Sequence, residues 1–281
     1  MGAAIDAIGD TGKILRHNPL IVPVGIGVNV VGGLITLVVS FVLGLIPLFG
    51  PLLAPVVQGV FAAVMVTGLL GMAYAGRNGN GNLDAFMSSV QNGFLSYLGA
   101  FLLLMTVSFV VTFVLFLVFI FTVGFGAAGI SEAGGGASAF ARVGLMIALM
   151  FLVVMFVFAL VGFVIQFFDI AIVADDATAL SSFSKSFDLV TRAPLSVLGY
   201  TALRALIVGS VVGIPYVIVL VLGAGVESLT GSTASDLGQG FGLVTIVLLG
   251  IWVLVIGPLG FIVNFTYHAA FYNRHQALGN V

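Results

Sequence analysis

Few side chains in this sequence could carry out chemistry, and the two that stand out are Asp169 and Arg204. Each lies inside a long apolar stretch, where a charge is costly unless it faces a partner or water, so both are functional candidates. Four polar residues fall at a similar depth: Gln166, Tyr200, Asn264 and His268. The sequence predicts that these six form a polar pocket open to the cytoplasm, or that Asp169 and Arg204 form a buried pair that only fixes helix register. A third possibility is an arginine that snorkels to the headgroups.

The short connection 174–195 favours contact between Asp169 and Arg204, because it keeps the two flanking helices close together. At 1.5 Å per residue, Asp169 would lie about 6 Å deep and Arg204 about 12 Å deep from a shared boundary. An arginine side chain can cover that difference, so we expect the two charged groups to approach each other.

The sequence lacks the signatures of an enzyme. It has no nucleophile elbow, no phosphate-binding loop and no His-Glu-x-x-His zinc motif. No cysteine is present, which excludes disulfides and thiolate metal sites. His268, Tyr272 and His275 share one helical face, but a metal would need further ligands, so we expect their polar tips to lie at the membrane interface. The prediction is a protein that is not an enzyme and that has no cofactor or metal.

The composition explains why so few polar residues are available. Of 281 residues, 61% are hydrophobic and 6% are charged, with a mean hydropathy of +1.31. A soluble domain carries roughly 25% charged residues to cover its core, so this chain must be dissolved in lipid. Its net charge is −2 with eight Lys and Arg, too few for a surface that follows nucleic-acid phosphates.

Long stretches without charge predict the membrane spans. There is no Asp, Glu, Lys or Arg from residue 17 to 76, nor from 85 to 131. A bilayer core roughly 30 Å thick needs about 20 apolar residues, and Pro47 and Pro51 divide the first stretch in two. We predict an all-α integral membrane protein with six transmembrane helices, near 20–46, 53–75, 97–123, 143–173, 196–222 and 241–268.

The positive charges predict the orientation. Six share one side of this topology: Lys13, Arg16, Arg77, Lys185, Arg192 and Arg274. The opposite side has only Arg142, within Gly- and Ser-rich loops at 124–142 and 223–240. Since Lys and Arg are enriched in cytoplasmic loops, both termini are predicted in the cytoplasm, in a multi-pass protein of the plasma membrane.

Three segments on the predicted cytoplasmic side have the spacing of amphipathic helices: 4–17, 83–97 and 177–193. The first places Ile5 and Ile8 on one face, and such faces lie along a membrane surface or on a bundle. Each segment leads into an odd-numbered span. This pattern predicts three repeated units, at 1–76, 77–174 and 175–281, although any even-span protein with amphipathic connectors would look similar.

Small residues follow one face of the fifth predicted span, at Ala205, Gly209 and Gly213. This spacing allows close helix contact, either within the bundle or between two copies of the chain. Pro215 and Gly257-Pro258 are expected to kink spans five and six.

The stretch from Asp175 to Tyr200, which contains Lys185-Ser-Phe-Asp-Leu-Val-Thr-Arg192-Ala-Pro194, resembles a recurring segment of uncharacterised six-span proteins from haloarchaea. The opening Lys13-Ile-Leu-Arg-His-Asn-Pro19 resembles the start of the same group. That group is similar in layout to the membrane domain found beside some glycerophosphodiester phosphodiesterases, where the enzyme is a separate soluble barrel. The resemblance implies a stand-alone membrane domain of unknown function.

These observations favour a membrane scaffold or accessory subunit that binds membrane lipids, a protein partner or a second copy of itself, and no nucleic acid. The alternative is a small-solute or lipid transporter, which the proline-containing spans and Asp169 with Arg204 would suit. An intramembrane enzyme is not favoured, because the sequence shows no nucleophile paired with a base.

Overall fold

Helices make up almost all of the chain in the computed structural model, which describes residues 2–46, 50–132, 137–230 and 247–279. Side chains are described for these residues except 51–52, 122–132, 137–143, 216, 218–230 and 277–279. The helices are α1 (Gly2–His17), α2 (Ile21–Gly44), α3 (Gly50–Gly76), α4 (Leu83–Glu132), α5 (Ala137–Ile165), α6 (Phe168–Asp175), α7 (Ala179–Arg192), α8 (Pro194–Thr230) and α9 (Gly257–Gly279). A π-helical turn, Trp252–Ile256, directly precedes α9. The described ranges contain no strand, so the predicted all-α fold class is confirmed.

Six helical stretches are long and apolar enough to cross a membrane, which confirms the predicted number. They are Ile21–Gly44, Leu53–Gly76, Leu83–Phe121, Gly144–Asp175, Pro194–Pro215 and Val247–Gln276. The helices extend beyond several predicted ends, because backbone hydrogen bonding continues where the apolar pattern stops. Thus α4 reaches Glu132 and α5 begins at Ala137, inside the predicted loop 124–142. Of the loop predicted at 223–240, residues 231–240 lie outside the described part of the chain.

Two of the three predicted surface segments are separate helices, and the third is not. Segments 4–17 and 177–193 correspond to α1 and α7, whereas 83–97 is the beginning of the 50-residue helix α4. The reason is visible in the prolines. Pro19 and Pro194 stand at the junctions that follow α1 and α7, while the sequence has no proline between Pro55 and Pro194 to interrupt α4. The threefold repeat stays a prediction.

The chain divides into two compact units. One unit comprises Met1–Leu98 and Phe167–Val281, and the other comprises Gly99–Gln166. The smaller unit consists of the remainder of α4 and all of α5, whose described side chains are largely apolar and exposed. Within it, the rings of Phe109 and Phe113 stack with their centroids 6.4 Å apart.

In the larger unit, α9 is the central helix and contacts α1, α2, α3, α6 and α8. Residues 266–273 are buried on every side of α9. A helix can be buried all round only where neighbours cover each face, and here the short helices α1 and α6 complete that cover. The polar side chains of α9 are therefore interior groups that need partners in the protein.

The predicted span 143–173 is interrupted. The α-helical pattern breaks at Gln166 and Phe167, between α5 and α6. The backbone N–H of Phe167 donates to the hydroxyl oxygen of Ser186 on α7, at 3.1 Å. Non-helical backbone at membrane depth is tolerated where protein groups satisfy it, as Ser186 does here. The break starts a new helix whose first turn carries Asp169.

A second irregularity lies beside Gly257 and Pro258, where a kink was expected. Pro258 has no N–H to continue the hydrogen-bond ladder, and the helix widens to the π-helical turn just before it. The indole N–H of Trp252 in that turn donates to the backbone carbonyl of Val211, at 2.8 Å. By contrast, α8 runs through Pro215 without ending.

A buried Asp–His–Tyr chain as the candidate functional site

Three side chains form one continuous chain of hydrogen bonds inside the larger unit. Nε2 of His268 lies 2.8 Å from a carboxylate oxygen of Asp169. Nδ1 of the same ring bonds to the hydroxyl of Tyr200. His268 and Tyr200 are fully buried, and Asp169 is 8% exposed. Helices α6, α8 and α9 each supply one member, so the chain ties three separate segments together.

The protons on this chain follow from its two ends. An ionised Asp169 can only accept, so Nε2 of His268 must carry a hydrogen and donate it. In a neutral imidazole Nδ1 is then an acceptor, and the Tyr200 hydroxyl donates to it. Asp169 also accepts the backbone N–H of Ile170, at 2.8 Å, in the first turn of α6. Both nitrogens of the imidazole are therefore hydrogen-bonded while the ring is neutral.

Aromatic rings enclose the chain. Phe167 stacks on His268 with ring centroids 5.3 Å apart and planes within 6°. Phe271 stacks on Tyr200 at 4.4 Å, and Tyr267 stacks on its ring at 5.1 Å. These rings exclude water, and hydrogen bonds are stronger in such low-dielectric surroundings.

Arg204 lies next to the Asp–His–Tyr chain but hydrogen-bonds to a residue outside it. Its Nε donates to the side-chain oxygen of Asn264, at 3.0 Å, and its guanidinium carbon is 5.9 Å from the centre of the Tyr200 ring. No ion pair within 4.0 Å joins Asp169 to Arg204 in the part of the chain that the structure describes. Asp169 has His268 as its hydrogen-bond partner, because the break before α6 places the carboxylate against the central helix.

Five of the six predicted site residues are thus close neighbours in two linked sets, Asp169–His268–Tyr200 and Arg204–Asn264. The sixth, Gln166, belongs to the smaller unit, and its amide donates to the backbone carbonyl of Phe163, at 2.9 Å.

The expectation that His268, Tyr272 and His275 reach the membrane interface is wrong for two of them. His268 is fully buried, and Tyr272 is 5% exposed and donates to the carboxylate of Asp175, at 2.8 Å. The reason is the cover that the short helices α1 and α6 give to this part of α9. His275 is half-buried, and its Nδ1 lies 3.2 Å from the carbonyl oxygen of Phe271.

Two polar centres that hold the helices together were not predicted from the sequence. The carboxylate of Asp175, at the end of α6, pairs with Lys185 at 2.9 Å. It also accepts hydrogen bonds from the Tyr272 hydroxyl and the Gln276 amide. Its position directly after an apolar stretch was the available signal. Asn18, which is 4% exposed, was visible only as the residue before Pro19.

Among the described residues, nothing packs closely against Gly209 or Gly213, so the choice between a contact within the bundle and a contact between two copies stays a prediction. A methyl group added at Gly209 or Gly213 would meet no described atom within 4 Å, and Ala205 is exposed. The close contact of α8 with α9 is made by Gly260 on α9 against Val211 instead. A glycine of α9 therefore allows this close approach.

The chemistry open to the three side chains of this site is proton exchange. Both imidazole nitrogens are already bonded, and the described residues contain no group of three His, Cys, Asp or Glu that could hold a metal ion. The carboxylate, imidazole and phenol can each give or take a proton along the chain.

The chain matches one family in a comparison with protein-family models. A family model described as a domain of unknown function (DUF7847) matches residues 3–275. The chain belongs to the DUF7847 family. The match covers both units, so the DUF7847 domain includes every member of the Asp169–His268–Tyr200 chain. Neither the curated proteins nor the solved structures give a match.

Proposed function

We propose that this DUF7847 protein is a non-enzymatic membrane scaffold or accessory subunit that binds lipid or a partner protein on the outward faces of α1 and α7. One observation carries the proposal. These two helices are not among the six apolar spans, yet they leave large apolar side chains exposed. Ile5 is 63% exposed and Ile8 46% on α1, while Leu180 is 70% exposed and Phe187 52% on α7.

The inward faces of the same helices support this proposal. α1 packs through Ala4, Ala7, Thr11 and Ile14. α7 packs through Ser182, Ser186 and Val190. Small residues permit close packing on α9 and its neighbours, so the larger apolar side chains are left for contacts outside the chain. An amphipathic helix with this division lies in the headgroup region of a membrane or against another protein.

The closed state of the Asp–His–Tyr chain favours a scaffold over a transporter. Its members bond to one another and are surrounded by aromatic rings. The cavity of about 510 Å³ in the same unit is lined by other residues, and none of the three belongs to its wall. A buried polar group that is fully bonded stabilises one packing arrangement.

We also propose that the protein resides in the plasma membrane and that α1, α7 and both termini lie on its cytoplasmic side. Four crossings separate α1 from α7, so both helices face the same side if all six spans cross. The positive charges next to these helices support the cytoplasmic assignment. The relation to haloarchaeal six-span proteins and to the membrane domain beside glycerophosphodiester phosphodiesterases stays a prediction.

Photo-crosslinking tests the scaffold proposal. The chain has no cysteine, so Ile5→Cys and Leu180→Cys can each carry a single benzophenone label in native membranes. We expect adducts with lipid, or with one discrete protein band, from both positions. Asp188→Cys is the matched control, because Asp188 is an exposed polar residue of α7. Equal and low adduct yields at Ile5, Leu180 and Asp188 would contradict the proposal.

The transporter remains the second candidate because three ionisable side chains meet inside apolar spans, the arrangement used by proton relays. Reconstituted liposomes with a pH gradient and an internal pH dye separate the two functions. The scaffold proposal predicts the same proton leak for the native chain and for Asp169→Asn. A leak that Asp169→Asn abolishes would favour transport.

A further inference from the structure

A cavity of about 510 Å³ lies in the larger unit, at the level where the third helix leaves its apolar stretch. Its wall is formed by the second half of α1, the end of α3 with the turn that follows, and α9. The polar side chains of the wall are Asp10, Lys13, His17, Arg77, Asn273 and Arg274. It is therefore a basic cavity at a helix end, and its wall includes neither the Asp–His–Tyr chain nor the exposed apolar residues of α1 and α7.

The cations of this wall differ in how closely they are paired with carboxylates. Arg274 is paired with Asp10 at 2.6 Å and with Asp6 at 3.1 Å. Lys13 makes only a 3.5 Å contact with Asp10, and its side chain is 74% exposed. Arg77 has no carboxylate within 4.0 Å among the residues that the structure describes. Lys13 and Arg77 are thus the two cations that an anionic ligand could engage.

Asn273, in the same wall, has a buried polar atom that lacks a hydrogen-bond partner among the described residues. It is 5% exposed, and its side-chain oxygen accepts a hydrogen bond from Arg77, at 3.2 Å. That bond identifies the oxygen end of the amide, since Arg77 can only donate. The amide nitrogen has no hydrogen-bond partner in the described protein. A buried donor without an acceptor is costly, so a ligand oxygen would satisfy it.

From these contacts we propose that the cavity binds a phosphate group, held by Arg77, Lys13 and the amide of Asn273. Phosphate oxygens accept several hydrogen bonds at once, which suits an arginine, a lysine and an amide converging on one cavity. The ligand is the headgroup phosphate of an anionic lipid or a soluble phosphate, and both offer the same chemistry. Basic cavities between helices at the membrane surface are suited to such headgroups. The proposal goes beyond the scaffold function, because binding here requires neither exposed face.

Native mass spectrometry of the full chain in detergent tests the proposal with three probes. They are inorganic phosphate, dioctanoyl phosphatidylglycerol, and dioctanoylglycerol, which has the same acyl chains but no phosphate. We expect the phosphatidylglycerol to bind and the dioctanoylglycerol not to bind. Displacement by inorganic phosphate of similar affinity would identify a soluble phosphate as the ligand. Failure of inorganic phosphate to compete would identify the lipid.

Variants show whether the binding is at this site. Arg77→Gln should weaken phosphatidylglycerol binding about ten-fold, as expected for losing one charge-assisted hydrogen bond. Lys13→Gln should also weaken it, and Asn273→Asp should reduce it further by placing a carboxylate in the cavity. Arg16→Gln is the matched control, because Arg16 is an exposed cation of α1 outside the wall, and it should change the Kd by less than about two-fold.

Three results would overturn the proposal. They are no binding of either phosphate probe, equal binding of phosphatidylglycerol and dioctanoylglycerol, and an equal loss of binding in Arg77→Gln and Arg16→Gln. None of these results would bear on the crosslinking from α1 and α7, so the scaffold proposal can fail or stand separately.

Discussion

His268 is the central residue of the Asp169–His268–Tyr200 chain, because it is hydrogen-bonded on both sides. Its partners come from α6 and α8, while the ring itself is on the central helix. Removing the imidazole would take one hydrogen bond from the Asp169 carboxylate and one from the Tyr200 hydroxyl, both in an apolar interior. Leaving a buried polar group short of a hydrogen bond typically costs about 1–3 kcal/mol, and more when the group is a carboxylate.

A double-mutant cycle should show that Asp169 is coupled to His268. We expect His268→Gln to destabilise the chain strongly, and Asp169→Asn to recover part of that loss when the two are combined, since the uncompensated charge is gone. The coupling energy should exceed about 1 kcal/mol, measured as unfolding free energy in detergent.

The control cycle combines Asp169→Asn with Arg204→Gln. It should give a smaller coupling energy, because Arg204 bonds to Asn264 rather than to the carboxylate. Additive effects in the first cycle, or a larger coupling in the second, would contradict the described partners.

Asp10 gives the residue-scale prediction for pH. Its hydrogen bond to the Arg274 guanidinium holds the pKa of Asp10 below its ordinary value of 3.8. A carboxyl group with a lowered folded-state pKa stabilises the fold fully above its ordinary value, and this contribution is lost as the pH falls through the folded-state pKa. The apparent Tm of the native chain should therefore fall more steeply below about pH 4 than that of Asp10→Asn.

Asp188→Asn serves as the comparison for that measurement, since Asp188 is an exposed carboxyl of α7. It should keep the acid slope of the native chain. A native-like slope in Asp10→Asn would show that the pairing of α1 with α9 does not depend on this carboxylate.

At the scale of the elements, Asn18 joins three segments. Its amide donates to the carbonyls of Ile14 at 2.9 Å and Gly76 at 2.7 Å, and its oxygen accepts the N–H of Gly81 at 2.9 Å. The end of α1, the end of α3 and the following turn are therefore fixed by a single buried side chain.

Asn18→Ala should destabilise the chain by about 1–3 kcal/mol, because it leaves the buried Gly81 N–H without an acceptor and removes one of the two hydrogen bonds to the Gly76 carbonyl. Asn29→Ala is the matched control, since Asn29 donates only to the carbonyl one turn earlier, at 2.8 Å. Its cost should be below about 1 kcal/mol. Equal losses of unfolding free energy for the two variants would show that the contacts of Asn18 to α3 contribute nothing.

The apolar pattern predicted the elements better than their junctions. Charge-free stretches fixed the six spans, because lipid tolerates few charges and the prolines mark where a stretch divides. The same pattern could not show that α4 continues unbroken from residue 83, nor that the fourth span breaks at Phe167. Both depend on which side chains are nearby to satisfy the backbone, as Ser186 is for Phe167.

At the scale of the whole molecule, the membrane depth counted along the sequence predicted that five of the site residues lie close together. It did not predict which of them bond to each other. Counting residues from a boundary gives the depth of Asp169, Arg204 and His268, and not the direction in which each points. The pairing of Asp169 with His268 spans 99 positions and follows from the central place of α9. That place is not visible in composition, because residues 266–273 become interior only when other helices cover them.

The central claim is that the apolar faces of α1 and α7 are covered by lipid or by a partner, on the cytoplasmic side. Labelling of single cysteines with a membrane-impermeant maleimide in inside-out vesicles tests it most directly, because the native chain has no cysteine. We expect fast labelling of Asp188→Cys and protection of Ile5→Cys, Leu180→Cys and Phe187→Cys until the protein is denatured. Labelling of these three as fast as Asp188→Cys would contradict the covered faces. Labelling of Asp188→Cys only in right-side-out vesicles would contradict the orientation.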